Sequence, residues 1–397
     1  MERRKFFFGL GALSAMQVAS PLKAENSGIF ASENKRVPMK VKDLQILELL
    51  GKNKYQAYYI KVITDDGLVG LYGPIDHEAV IMVNEVFKKQ LIGQDPLATE
   101  DFWQRVYTNN RHSRGSFYSI GMSAIDNVLW DLKGKYLGLP VFRLLGGGTR
   151  NKIRVYASCL GFSQEPEALQ EKAKSLVEQG FSHQKWFLKG GSSYMEAPGL
   201  DKNIEVVRLL REAVGDKSDL MFDASCSWDL SYAVSWAKRV EKFSPRWLEE
   251  PFQSARIESF VELAKETSIS LATGEHFYGR WDIQEFLSQR AIRVIQADPE
   301  WCGGVSELVK ICHIASVYGA QVIPHGHSML ASMHVVASQP DMVCPMVEFL
   351  IEKMSGSYQY FDKNPVFPKN GLVSLSERPG FGIELDESKI ESIRTVP

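Results

Sequence analysis

The chain has no excess of basic charge. Its 46 Lys and Arg face 48 Asp and Glu, a formal net charge of −2 over 397 residues. Nucleic-acid binders advertise a basic stripe or patch, so a nucleic-acid partner has no support. Cysteine is sparse: Cys159, Cys226, Cys302, Cys312 and Cys344 are scattered, odd in number and never closely spaced. That argues against a disulfide framework and against a structural zinc site. No cysteine precedes Cys159, which excludes a lipoprotein. No repeat of short period is present, and the sole apolar run near the N-terminus is too short to span a bilayer.

That run has a character of its own. "MERRKFFFGLGALSAM" carries a basic head, then an apolar stretch of signal length, then small residues with Ala24 as a cleavage point. Arg3-Arg4 followed by Lys5-Phe6 resembles a twin-arginine export signal. Residues 1–24 are therefore expected to be an export leader. The mature chain is expected in the periplasm without a membrane segment, or in the cytoplasm if the leader is not processed.

With 44% hydrophobic and 24% charged residues, the chain can build an ample core. Residues 39–150 begin with the alternating runs "VKDLQILEL" and "YQAYYIKVI". Asp65-Asp66-Gly67 then signals a hairpin into "LVGLY". Helical patterns follow, the clearest being "SAIDNVLWDLKGKYLGLP", stopped at Gly138 and Pro140. This predicts an α+β unit. Over 151–358 the rhythm changes. The apolar runs "KIRVYAS", "HQKWF", "LMFDAS", "RWLEE", "SLATGE", "RVIQAD", "QVIPHG" and "MVEFL" alternate with helical stretches, which predicts a parallel (β/α) barrel. An open doubly wound sheet is the alternative, but the glycine-rich "LLGGGTR" precedes the first strand, the wrong place for its phosphate turn. Residues 359–397 lack this rhythm and are expected to pack on the first unit.

Barrel chemistry sits at the C-terminal ends of strands. Those ends read Lys185, Asp223, Glu249, Glu275, Asp298, His325 and Glu348, nearly all ionisable. Asp223, Glu249 and Glu275 recur at steps of 26 residues. Three convergent carboxylates repel one another unless a cation joins them, and all-oxygen ligation suits Mg²⁺. Pairing of each with its own Lys or Arg is the competing account. Asp298 and His325 end neighbouring strands, where a carboxylate can orient an imidazole for acid/base work. His327, two residues on, shares a face with His325 by strand parity but lies past the strand's end, as a pocket or supporting residue.

Taken in order, "SAIDNVLWDLKGKYLGLP", "FDASCSW", "WLEEP", "ATGEH", "DPEWCGG" and "PHGH" resemble the enolase superfamily, in its mandelate racemase subgroup. The resemblance covers residues 39–397. It implies a (β/α)7β TIM-like barrel under an α+β capping domain that the C-terminal tail completes. It also implies one Mg²⁺ per subunit on Asp223, Glu249 and Glu275, a His325–Asp298 dyad, Glu348 supporting the enolate oxygen, and a homo-oligomer. The shared chemistry is removal of a proton α to a carboxylate through an enediolate.

Many relatives end the second barrel strand in Lys-x-Lys, whose second lysine is a base opposite the histidine. Here Lys185 fills the first position and Phe187 the second, while Lys189 lies beyond the strand. A racemase needs two bases; a dehydratase needs one, because one histidine can take the α proton and protonate the leaving β-hydroxyl. "KWF", "WDLSYA" and "PGFGIEL" look most like rhamnonate and related aldonate dehydratases. The resemblance thus implies a Mg²⁺-dependent dehydratase of a small-molecule acid sugar. Lys185 is then a substrate-binding group, and His276 contacts substrate or supports those that do. Arg111, His112 and Arg114 are candidate grips on the acid sugar. An epimerase, a cycloisomerase or a sugar-acid binding protein without catalysis remain the alternatives.

Overall fold

Strands β1 (Val41–Gly51), β2 (Gln56–Thr64) and β3 (Val69–Ile75) form an antiparallel meander; alternation buries Leu44 and Ile46 of β1 on one face, and Leu49 is buried in a separate cluster with Tyr59 and Phe361. The β2–β3 turn falls on Asp65-Asp66-Gly67, with Gly67 at φ 89°, left-handed backbone that glycine adopts at little cost. This computed structural model describes residues 39–110, 115–188 and 197–397. The expected leader (1–24), Arg111, His112, Arg114 and Lys189 lie outside the described residues.

Eight parallel strands follow: β4 (Lys152–Ser158), β5 (His183–Phe187), β6 (Asp219–Asp223), β7 (Trp247–Glu249), β8 (Ser270–Thr273), β9 (Val294–Ile295), β10 (Gln321–Val322) and β11 (Met346–Leu350). Helices separate them, and the spatial order is β10-β9-β8-β7-β6-β5-β4-β11. The sheet curls as a TIM-like barrel. Tyr156, Met221, Trp247, Ala272, Val294, Ile323 and Met346, one from each of seven staves, fill its axis as a separate buried cluster. β10 and β11 share no ladder; Val322 N–H instead donates to Val343 O at 2.7 Å, just before β11. β12 (Leu372–Ser374) pairs antiparallel with β4, and β13 (Ile390–Val396) pairs antiparallel with β1, so the C-terminal segment joins both sheets.

The helix Ser116–Leu137 packs on β3 and ends at Gly138, whose φ of 70° makes the left-handed stop foreseen from sequence. It buries polar residues, which is unusual for a core helix. Their partners explain it. Ser123 Oγ accepts from Gly303 N–H (2.9 Å), Asn127 Oδ1 from Val305 N–H (3.1 Å), and Asp126 from Ser306 N–H (2.8 Å) and Ser306 Oγ (2.6 Å). Trp130 Nε1 donates to Ser306 Oγ (2.8 Å), and Asn127 Nδ2 to Pro299 O (3.1 Å). This helix therefore holds the whole 299–306 loop that follows Asp298. Gly304, at φ 90°, leaves no room for a Cβ, which would meet the Asp126 carboxylate at 2.4 Å.

Asp131, on the same helix, joins three segments. It accepts from Leu71 N–H (2.9 Å) and Phe381 N–H (3.0 Å) and pairs with Lys135 Nζ (2.6 Å). Removing it strands two buried N–H groups and one half-buried ammonium. We expect Asp131→Ala to destabilise the protein by about 3–5 kcal/mol, measured by urea unfolding, with Asp131→Asn recovering part of the loss.

Candidate active site

The ionisable strand ends converge on one cavity of about 600 Å³ at the C-terminal face of the barrel. Lys185, Phe187, Asp223, Glu250, Glu275, His276, His325 and Glu348 line it. Lys185 lies within β5, Asp223 and Glu249 close β6 and β7, and Glu348 lies within β11. Glu275, Asp298 and His325 stand two or three residues past the last residues of β8, β9 and β10. Strand parity is thus not what orients His325 and His327, since β10 ends at Val322 and both residues follow in irregular chain.

Lys185 is buried among carboxylates. Its Nζ lies 2.5 Å from Glu249 Oε1, 2.8 Å from Glu348 Oε1 and 3.6 Å from Asp223 Oδ2. Burial alone lowers its pKa, but Glu249 and Glu348 outweigh that and hold it well above the usual lysine value. Glu348 also accepts from Gly326 N–H (2.9 Å). Burial works upward on this carboxyl, yet Lys185 and His325 keep it down at about 2. Glu348 thus lies at the cavity between the Lys185 ammonium and the Gly326 N–H.

His325 Nδ1 lies 2.8 Å from Asp298 Oδ2, and its Nε2 lies 3.5 Å from Glu275 Oε2. Asp298 is fully buried, and its other oxygen accepts from Glu300 N–H (2.7 Å). Burial opposes charge on the ring, but Glu275 and Asp298 prevail and raise the His325 pKa to about 10. The carboxylates expected to hold a metal are under strain. Burial, before any other cause, pushes Asp223 up to about 6, Glu249 to about 8 and Glu275 to about 7.

This donor set fits a divalent cation by its charge balance. Six carboxylates (Asp223, Glu249, Glu250, Glu275, Asp298, Glu348) share three basic partners, Lys185, His276 and His325. All donors are oxygen, as Mg²⁺ prefers. Among the described residues, however, the set whose ligating atoms already lie within 4.8 Å of one another is Cys226, Glu250 and His276.

Glu250, Cys226, Trp301, Asp76 and Lys353 escaped sequence reasoning. Glu250 receives Thr273 Oγ1 (3.1 Å) and Cys226 Sγ (3.1 Å), and His276 Nδ1 lies 3.1 Å from it. That contact sets the His276 ring on the cavity wall, with 46% of its side chain exposed. Trp301 stacks on His325 with ring centroids 4.9 Å apart, and its Nε1 donates to Asp76 Oδ2 (2.8 Å). His327 meets Asp76 Oδ1 through Nε2 (2.7 Å) and Lys353 Nζ through Nδ1 (2.8 Å), and donates its N–H to Asp298 Oδ2 (3.2 Å). His327 is thus a supporting residue behind the dyad. Asp76 sits at the start of the helix His77–Met82 but makes no side-chain cap, which leaves both oxygens for Trp301 and His327. An Asp before a helix reads as a cap from sequence, which is why it was missed.

A curled parallel sheet beneath an antiparallel cap, with ionisable groups at its C-terminal mouth, defines a barrel enzyme of the enolase class. The chain belongs to the mandelate racemase/muconate lactonizing enzyme family of that superfamily. Residues 40–146 match the family's N-terminal domain, and residues 168–389 match the enolase C-terminal domain-like model. Among curated proteins it is similar to an arabinonate dehydratase of Saccharolobus solfataricus, 28% identical over 89% of this chain and 94% of that one. It is also similar to a D-galactarolactone cycloisomerase of Agrobacterium fabrum, 30% identical over 84% and 90%. Among solved structures, a member of the enolase superfamily from Salmonella Typhimurium superposes with a TM-score of 0.82 at 28% identity, over 90% of this chain and all of that one.

The Asp76 contacts carry a prediction. Asp76→Ala releases Trp301 from its stack against His325 while leaving every carboxylate of the cavity in place. Turnover should fall roughly 10- to 100-fold, with divalent-cation affinity by calorimetry unchanged.

Proposed function

We propose that the protein is a Mg²⁺-dependent dehydratase of an acid sugar, an aldonate such as L-rhamnonate or a stereochemical relative, giving the 2-keto-3-deoxy acid. The observation that carries this reading is the His325–Asp298 pair, an imidazole held at the cavity by a buried carboxylate. His325 faces the cavity with Asp298 behind it, while the Lys185 ammonium is spent on Glu249 and Glu348 and Phe187 occupies the next outward place on β5. Asp223, Glu249 and Glu275 would hold the Mg²⁺, which when bound takes up the charge that keeps His325 protonated and stabilises negative charge on the substrate carboxylate.

The residues then divide the work. Neutral His325 takes the α proton at Nε2, because Nδ1 is committed to Asp298. Lys185 presents positive charge toward the substrate carboxylate. The imidazolium returns its proton to the β-hydroxyl, which leaves as water from the same face, and the enol becomes the keto acid. Trp301 and the His327–Asp76 contact keep the ring from turning. His276, which shares the Glu275 carboxylate with His325, can donate to a sugar hydroxyl beside it. Similarity to acid-sugar dehydratases supports this account.

A cycloisomerase reading is favoured by one observation, the 30% identity to a galactarolactone cycloisomerase. Mass separates the two, since dehydration removes one water and cycloisomerisation removes none. Screening an acid-sugar library with Mg²⁺ should give 2-keto acids lighter than substrate by one water, with activity lost in EDTA; an isomeric product would decide for the cycloisomerase. His325→Asn should lower turnover by about 10³-fold or more while Mg²⁺ binding persists, and retained turnover would remove the single-base mechanism. In deuterated solvent, recovered substrate should keep its α configuration; epimerised substrate would restore a two-base enzyme.

A further inference from the structure

We propose that Cys312 and Cys344 form a disulfide under oxidising conditions, and that this bond closes the seam of the barrel between β10 and β11. All five cysteines are free thiols in the structure. Cys312 and Cys344 face each other with Sγ atoms 3.5 Å apart, essentially in van der Waals contact, and both are buried.

Their position gives the bond a purpose. Cys312 belongs to the helix Val305–Tyr318, which leads into β10, and Cys344 lies two residues before β11. These are the neighbouring staves that share no ladder. The link from β10 across this seam is Val322 N–H to Val343 O, and Val343 is the residue next to Cys344. His325 follows β10 and Glu348 lies on β11, so the seam runs between two groups of the catalytic cavity. The backbone of Cys344 is already fixed: its N–H donates to Pro340 O at 2.9 Å, and Arg150 Nη2 donates to its carbonyl. A cross-link therefore asks mainly for side-chain rotation.

The chemistry balances with an oxidant of the dithiol–disulfide class. One thiolate attacks the oxidant's disulfide to give a mixed disulfide, and the second thiolate displaces the oxidant as a thiol. Two protons and two electrons leave the protein, one S–S bond forms, and the oxidant ends as a dithiol. The Cys312 thiol is held well above its usual pKa by its hydrogen bond to Cys344 and by burial, so the closed protein reacts slowly. The way in for an oxidant is the turn at Pro340, Asp341 and Met342 just before Cys344, which is exposed, with Met342 85% accessible. The bond would close a loop of 32 residues (344 minus 312), long enough to stabilise by restricting the unfolded chain.

The test uses the full chain, reduced, then held in oxidised glutathione with and without sub-denaturing urea. Thiols are blocked after unfolding and read by intact mass and non-reducing peptide mapping. The expected product is lighter by two hydrogens. It carries a Cys312–Cys344 cross-link, leaves Cys159, Cys226 and Cys302 blocked, and melts several degrees above the reduced form. Cys344→Ala should show neither the cross-link nor any dependence of Tm on oxidant. Five blocked thiols after oxidation in urea would overturn the proposal. So would a cross-link to Cys302, or a cross-linked form that melts below the reduced one.

Discussion

Buried negative charge at the mouth of the barrel is the constraint on which the rest of the structure depends. Six carboxylates crowd around one cavity that offers them three basic side chains. Lys185 cannot satisfy Asp223, Glu249 and Glu348 together, and His325 is left between Asp298 and Glu275. Burial lifts Asp223, Glu249 and Glu275 far above ordinary carboxylates, so ionising all of them without a further cation is costly. A fold keeps such a site only when the surrounding core can absorb the cost. The seven-stave cluster around Trp247 and Tyr156, packed directly under the charged layer, supplies that rigidity.

The cap is part of the same machinery. The helix Ser116–Leu137 spends its buried polar residues on the backbone of the loop after β9, and that loop carries Trp301 onto His325. Asp76 reaches from the cap to both Trp301 and His327. The orientation of the His325 ring is thus set from both the barrel and the cap. Asp298 holds it from the barrel, and a stack fixed by the cap bears on its face. A cap that shifted would reach the ring through this stack, because Trp301 is held in place by Asp76 of the cap.

The fold was largely legible because its signals are local. Parallel strands buried on both faces read as short apolar runs, and each barrel run in the sequence corresponds to a strand, from "KIRVYAS" at β4 to "MVEFL" at β11. The stop of the long helix at Gly138 follows from backbone sterics and needs no tertiary information. The strand-end residues were legible as a set because a barrel sends its strand ends to one place. What failed was the finer inference of orientation. β9 and β10 are two residues each, so period-two parity had no strand to act on at His325 and His327. Asp76 could not be found because its partners lie 225 and 251 residues away and its position imitates a helix cap. Glu348 was legible by place, while its pairing with Lys185 was not, because that partner lies on a strand far away in sequence.

By itself the sequence determined the alternation that makes a barrel, the order of its ionisable strand ends, and the replacement of a second lysine by Phe187. Those are properties of residue type and spacing, and they survive any rotation of a side chain. Only the tertiary structure decided which carboxylates Lys185 takes, that Trp301 lies against both His325 and His327, and that Cys312 meets Cys344. Each of those is a contact between distant segments, and its existence depends on distances of a few ångströms that no one-dimensional pattern encodes.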